Sequence, residues 1–181
     1  MSVNRFFWQL MGTMTGILLA VQPAVTHAES ELAFQLADTS GDLFVLSSES
    51  AGRLTVVCFL GTECPMARLY GPRLSRMAQE FADDGVTFVG VNSNRQDSMA
   101  DIRDYVRRYQ VTFPMLRDVG NKVADQFQAT RTPEVFLLND ALQVIYHGRI
   151  DDQYAPGVSR NEPDRRDLHQ AVTEALAGRP V

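Results

Sequence analysis

Apolar and polar positions along the chain fall into blocks with two different periods. Leu54–Leu60, LTVVCFL, is an uncharged run of β-branched, aromatic and aliphatic residues, too short for a core helix. It predicts a strand buried on both faces. Gly61 and Thr62 break the run, and from Pro65 the period changes. Met66, Leu69, Tyr70, Leu74, Met77 and Phe81 recur at helical spacing, with Arg68, Ser75, Arg76, Gln79 and Glu80 on the other side. Proline suits the first helical position, where its missing N–H costs nothing. Asp83-Asp84-Gly85 stops the helix, and Val86–Val91 predicts a second strand. That spacing is a βαβ unit, with parallel strands and a right-handed crossover.

The pattern continues with a helix near 99–109 behind a Ser98 N-cap, a short extended piece at Phe113–Leu116 and a helix near 120–128. Glu134–Leu138 and Gln143–His147 predict two strands turning at Asn139-Asp140. Residues 155–166 read as an irregular polar connector, and the final helix runs from Asp164 to about Ala177, ended by Gly178 and Pro180. Two short apolar runs within 31–48 flank Asp38-Thr39-Ser40-Gly41-Asp42 and predict an N-terminal hairpin. No repeat or second domain is visible.

Residues 1–28 stand apart. Arg5 is the one formal side-chain charge, an apolar run extends from Phe6 through Val25, and Thr26-His27-Ala28 ends it at a small residue. This reads as a secretory signal peptide, which makes 29–181 the exported, periplasmic or extracellular domain. The rival is an uncleaved membrane anchor, because the run approaches the roughly 18 apolar residues that a span requires. Gln22 and Pro23 near its end favour cleavage. The chain is acidic, with 22 Asp and Glu against 17 Lys and Arg. Having no basic run, it is a poor nucleic-acid binder.

Two cysteines are too few for a disulfide scaffold or a structural zinc site. Cys58 sits in mid-strand and reads as a small buried hydrophobe. Cys64 lies at the N-terminus of the first helix, where unpaired N–H groups and the positive end of the helix dipole favour a thiolate. The loop Asn92–Ser98 should share the sheet edge that carries Cys64, since both follow strands of one parallel pair. It offers Asn94 as a substrate contact, or it simply caps the next helix.

Strand, loop, Cys-Pro and helix together resemble the active-site unit of the thioredoxin superfamily, in its redoxin (AhpC/TSA, TlpA-like) branch. Pro72 falls where that helix carries its kinking proline. Thr132-Pro133 stands before an apolar strand, where the superfamily has a cis-proline facing the cysteine. Runs like Gly148-Arg149-Ile150-Asp151-Asp152-Gln153 accompany Thr-Glu-Cys-Pro in exported bacterial redoxins. The resemblance covers about residues 32–177 and implies an α/β fold: a three-layer α/β/α sandwich on a central mixed sheet with an N-terminal hairpin extension.

The departures are informative. The second cysteine of the thioredoxin Cys-x-x-Cys is Ala67 and the tryptophan before it is Glu63, so dithiol exchange by that pair is impossible. The peroxiredoxin Pro-x-x-x-Thr-x-x-Cys places are Val57 and Gly61, with a threonine one residue late at Thr62. His147 invites comparison with Sco-type copper chaperones, but their second cysteine would fall at Leu60, leaving one soft ligand and a poor copper site. No metal or cofactor is expected.

The resemblance implies Cys64 as nucleophile, with Thr62 and Arg131 as activating residues and Thr132, Pro133 and Asn94 as substrate contacts. Arg131 has two readings, an anion-binding group at the thiol or a surface arginine. Three functions remain open. One is a thiol-dependent oxidoreductase acting on peroxide or disulfide, with an external thiol or partner thiol protein resolving the intermediate. The others are a monothiol exchange adaptor and a binding module with an unreactive Cys64.

Overall fold

The computed structural model describes residues 32–155 and 157–181. The expected targeting segment, 1–28, lies outside the described residues. The hairpin forms first in sequence: β1 (Phe34–Ala37) pairs antiparallel with β2 (Leu43–Leu46). The Asp38 carboxylate turns the chain by accepting the N–H groups of Ser40 and Asp42 at 2.8 and 2.9 Å. Gly41 supplies the left-handed backbone there, φ +96°.

The central sheet has the order β5-β4-β3-β6-β7. Its middle strand is β3 (Leu54–Phe59), parallel to β4 (Val86–Asn92) on one side and antiparallel to β6 (Glu134–Asn139) on the other. Between β3 and β4 runs α1 (Pro65–Glu80), which continues through Pro72. After β4 come α2 (Met99–Tyr109), β5 (Met115–Arg117) and α3 (Lys122–Phe127), with β5 parallel to β4. A β6–β7 hairpin, with β7 at Val144–Gly148, closes the sheet. All six β3 residues are buried, as expected of a strand with neighbours on both edges and cover on both faces.

Alternation along β3 divides the core in two. Val56, Cys58 and Leu60 face a layer built by α1, α2 and α4 (Asp167–Leu176), where Leu74, Ile102 and Leu168 pack. Val57 and Phe59 face α3 and the hairpin, where Phe34, Phe127 and Phe136 pack. Phe59, Phe127 and Phe136 contact one another edge to face, with centroids 5.2–5.8 Å apart. The result is the three-layer α/β/α sandwich with a hairpin extension.

The connector before α4 is more ordered than its composition suggests. Two-residue strands β8 (Tyr154–Ala155) and β9 (Val158–Ser159) pair within it, and α4 starts three residues later than expected. The buried Asp151 accepts a hydrogen bond from Tyr70 Oη at 2.7 Å and an ion pair from Arg73. Gln153 Nε2 donates to the carbonyls of Arg160 and Asn161, both at 2.9 Å. Arg149 pairs with Asp167 at 2.5 Å. The Arg149–Gln153 stretch is therefore a clasp binding the connector and α4 to α1. Among the described residues no helix is long and apolar enough to cross a membrane.

Candidate active site

Three loops at one sheet edge build the site: β3–α1, β4–α2 and the loop entering β6. Cys64 is the N-cap of α1, with extended backbone (φ −68°, ψ 117°). Its Sγ accepts the Ala67 N–H at 3.5 Å, the role a serine or aspartate plays in an ordinary cap. The sulfur thus faces the first turn of a 16-residue helix whose free N–H groups stabilise negative charge. From the other side the thiol donates to the carbonyl oxygen of Thr132 at 3.0 Å. The Thr132–Pro133 bond is cis. Cys64 is half-buried, whereas Cys58 is fully buried in the sheet between Gly90 and Val135. Burial pushes the Cys58 thiol pKa far up, so it stays protonated.

Asp97 knits two of the loops together. Only 2% exposed, it accepts at Oδ2 from the Thr62 N–H (3.0 Å), Asn92 Nδ2 (2.7 Å) and Asn94 Nδ2 (3.1 Å). Burial works to raise its pKa, but these donors and the Thr62 hydroxyl outweigh it, and the carboxyl is held below its usual value. Thr62 therefore sits beside Asp97, and its carbonyl accepts from Arg68 Nε at 2.9 Å. Gly61 lies where the loops converge. A Cβ there would come 2.3 Å from Asn94 Nδ2 and 3.2 Å from Thr132 Oγ1. Asn94 and Thr132 are thus brought together over Gly61, next to the thiol-bearing loop.

The third loop is held by Glu134. Its Oε2 accepts the N–H groups of Thr130 (2.7 Å) and Arg131 (3.2 Å), and its Oε1 lies 2.7 Å from His147 Nε2. The His147 ring is stacked on Phe136, with centroids 4.2 Å apart and planes 6° from parallel. Arg131 is exposed, and with Asn94, Thr130 and Thr132 it lines a cleft of about 240 Å³. A second cleft, about 340 Å³, opens between α1 and α2 past Thr62, Glu63, Arg68 and Tyr105. A larger one, about 370 Å³ between α1 and α4, includes no residue of the Cys64 loop.

The sequence pattern assigns no site role to Asp97, Arg68, Glu134 or His147. Glu134 carried a legible signal: a carboxylate opening an otherwise apolar, doubly covered strand requires partners. Arg68 is one turn beyond Cys64. Nothing marked Asp97 among its polar neighbours. No group of three or more His, Cys, Asp or Glu side chains among the described residues is arranged to hold a metal ion.

The sequence profile of the AhpC/TSA family matches residues 29–147. The chain belongs to the AhpC/TSA family. Within and around that family it is 28% identical to the thiol-disulfide oxidoreductase ResA of Halalkalibacterium halodurans, over 88% of this chain and 92% of that protein. It is 26% identical to the Bacillus subtilis ResA, over 74% and 73%. Among solved structures, a hypothetical protein of Sinorhizobium meliloti is 31% identical with a TM-score of 0.73, covering 82% of this chain and 83% of that one. The dsbF protein of Mycobacterium tuberculosis superposes with a TM-score of 0.63 at 25% identity, over 81% and 96%. As an AhpC/TSA member, this chain has alanine, fully buried, three residues after its helix-capping cysteine.

Proposed function

We propose that this AhpC/TSA member is an exported thiol-dependent oxidoreductase working through one cysteine. Cys64 attacks a peroxide or disulfide as thiolate, and an external thiol closes the cycle. The observation that carries the reading is Cys64 Sγ in the N-cap position of α1, where the Ala67 N–H is already directed at it. With a disulfide, the Cys64 thiolate displaces one sulfur and forms a mixed disulfide, releasing the other half as thiolate. With a peroxide, the sulfur takes one oxygen to become a sulfenic acid, and the leaving oxygen departs as water or an alcohol. Ala67 has no thiol to offer, and Cys58 is buried and protonated. The sulfenic acid therefore condenses with an external thiol, losing water, and a second thiol frees Cys64 by exchange.

Arg131, Thr132 and Asn94, which line the smaller cleft, are proposed to receive the oxidised substrate together with Pro133, while Thr62, fixed by Asp97, lines the cleft between α1 and α2. The names of the ResA relatives favour a protein or small-molecule disulfide over a peroxide. Export rests on the apolar N-terminal segment, with residues 29–181 as the mature domain.

Turnover with hydrogen peroxide and with glutathione disulfide, each with excess dithiothreitol, tests the proposal. Wild type and Cys58→Ser should turn over at least one oxidant, and Cys64→Ser neither. Equal turnover by Cys64→Ser would sink it. A wild-type protein inert to both would point instead to a binding module.

A further inference from the structure

The loop that touches the Cys64 sulfur is held from behind. Two consecutive N–H groups of that loop, Thr130 and Arg131, converge on one oxygen of Glu134, which is 3% exposed. The other oxygen is fixed by His147, and His147 is fixed by its stack on Phe136. Thr132 lies between these anchored residues and β6, and its carbonyl takes the Cys64 S–H at 3.0 Å. The chain of contacts runs without a gap from His147 to the sulfur.

We propose that Glu134, backed by His147, is a positioning residue that holds the Thr132 carbonyl on Cys64 as a latch engaging its S–H. A carbonyl oxygen stabilises S–H and repels S⁻, whereas the Ala67 N–H opposite does the reverse. The latch therefore holds back the nucleophile until something displaces the Thr132 carbonyl. An extended disulfide-bearing segment pairing with the loop backbone is the class of substrate suited to do so. Cys64 is then activated by substrate arrival, and encounters with incidental oxidants are less productive. The inference rests on Cys64 being the working thiol, but alkylation tests it without any turnover.

The alkylation rate of Cys64 by iodoacetamide at fixed, near-neutral pH is followed by intact mass, with Cys64→Ser as blank. Glu134→Ala removes the anchor from both N–H groups. It should raise the rate about fivefold, the size of one lost hydrogen bond of ordinary net strength. Glu134→Gln should restore the rate to within about twofold of wild type, since its amide oxygen accepts the same two N–H groups while its nitrogen faces His147. A folded Glu134→Ala alkylated no faster than wild type would overturn the proposal. So would a Glu134→Gln as fast as Glu134→Ala, which would make charge the cause. If Glu134→Ala does not fold, His147→Ala carries the test. A rise of about twofold supports the latch, and an unchanged rate overturns it. A purely structural role for Glu134 would lower melting temperature without moving the alkylation rate of the folded protein.

Discussion

Replacing Asp97 by alanine removes the acceptor that joins the thiol-bearing loop to the loop after β4. The donors left behind differ. The Thr62 N–H and the Asn94 amide are partly exposed and regain water, so each loses about 1 kcal/mol net. Asn92 is 1% exposed, and its Nδ2, now unpaired, adds about 2 kcal/mol for a buried donor without a partner. The expected loss is about 4 kcal/mol, or about 12 °C in melting temperature for a domain of this size. Urea unfolding followed by circular dichroism measures it, and an unchanged slope attributes the change to stability. Asp97→Asn retains an acceptor oxygen and should lose about half as much. A loss below about 1 kcal/mol for Asp97→Ala would refute Asp97 as the joint between the loops.

Further tests follow the same geometry. Gly61→Ala should cost about 1–3 kcal/mol by overpacking, because the new methyl meets the Asn94 amide 2.3 Å away, and differential scanning calorimetry would register it. Asp151→Ala strands Arg73 and Tyr70 and should cost about 3–5 kcal/mol, with limited proteolysis revealing a loosened 152–166 connector. A thiol titration with Ellman's reagent should count one fast thiol in the native protein and two in denaturant; two fast native thiols would contradict the burial of Cys58. For Glu134, burial works to raise the carboxyl pKa, but the Thr130 N–H, His147 and the Arg131 N–H bring it below its usual 4.5. A depressed folded value means its stabilisation is full above 4.5 and is lost as pH falls through the folded value. Wild-type stability should therefore fall more steeply below pH 4.5 than that of Glu134→Gln, as acid titration of the urea midpoint would show.

The elements of this fold are legible because period and punctuation agree. The LTVVCFL run could only be a doubly covered strand, and its cover on both faces follows from alternation alone. Cys64-Pro65 announced a helix start, and the cysteine is its cap. The connector before α4 was obscure because its order comes from Gln153, Asp151 and Arg73, contacts between residues up to 80 apart in sequence. The same limit governs the site. Thr62 beside Cys64 invites a hydroxyl-to-sulfur reading from proximity in sequence, yet its amide and hydroxyl are engaged by Asp97, 35 residues on. Asn94, Thr132 and Gly61 meet because three loops share one sheet edge. Topology gives the edge, but which polar atoms pair across it is decided by packing that no local pattern encodes.

Cys64 as the sole working thiol requires that its oxidised form be resolved from outside. Intact mass after brief peroxide treatment with dimedone, beside a tube of oxidised glutathione, tests it most directly. A single rapid adduct is expected in at least one tube, absent in Cys64→Ser and undiminished in Cys58→Ser, and a glutathione adduct is reversed by added thiol whereas a dimedone thioether is not. A Cys58–Cys64 disulfide forming instead, seen as a loss of two mass units without adduct, would contradict it, as would no Cys64-dependent change in either tube.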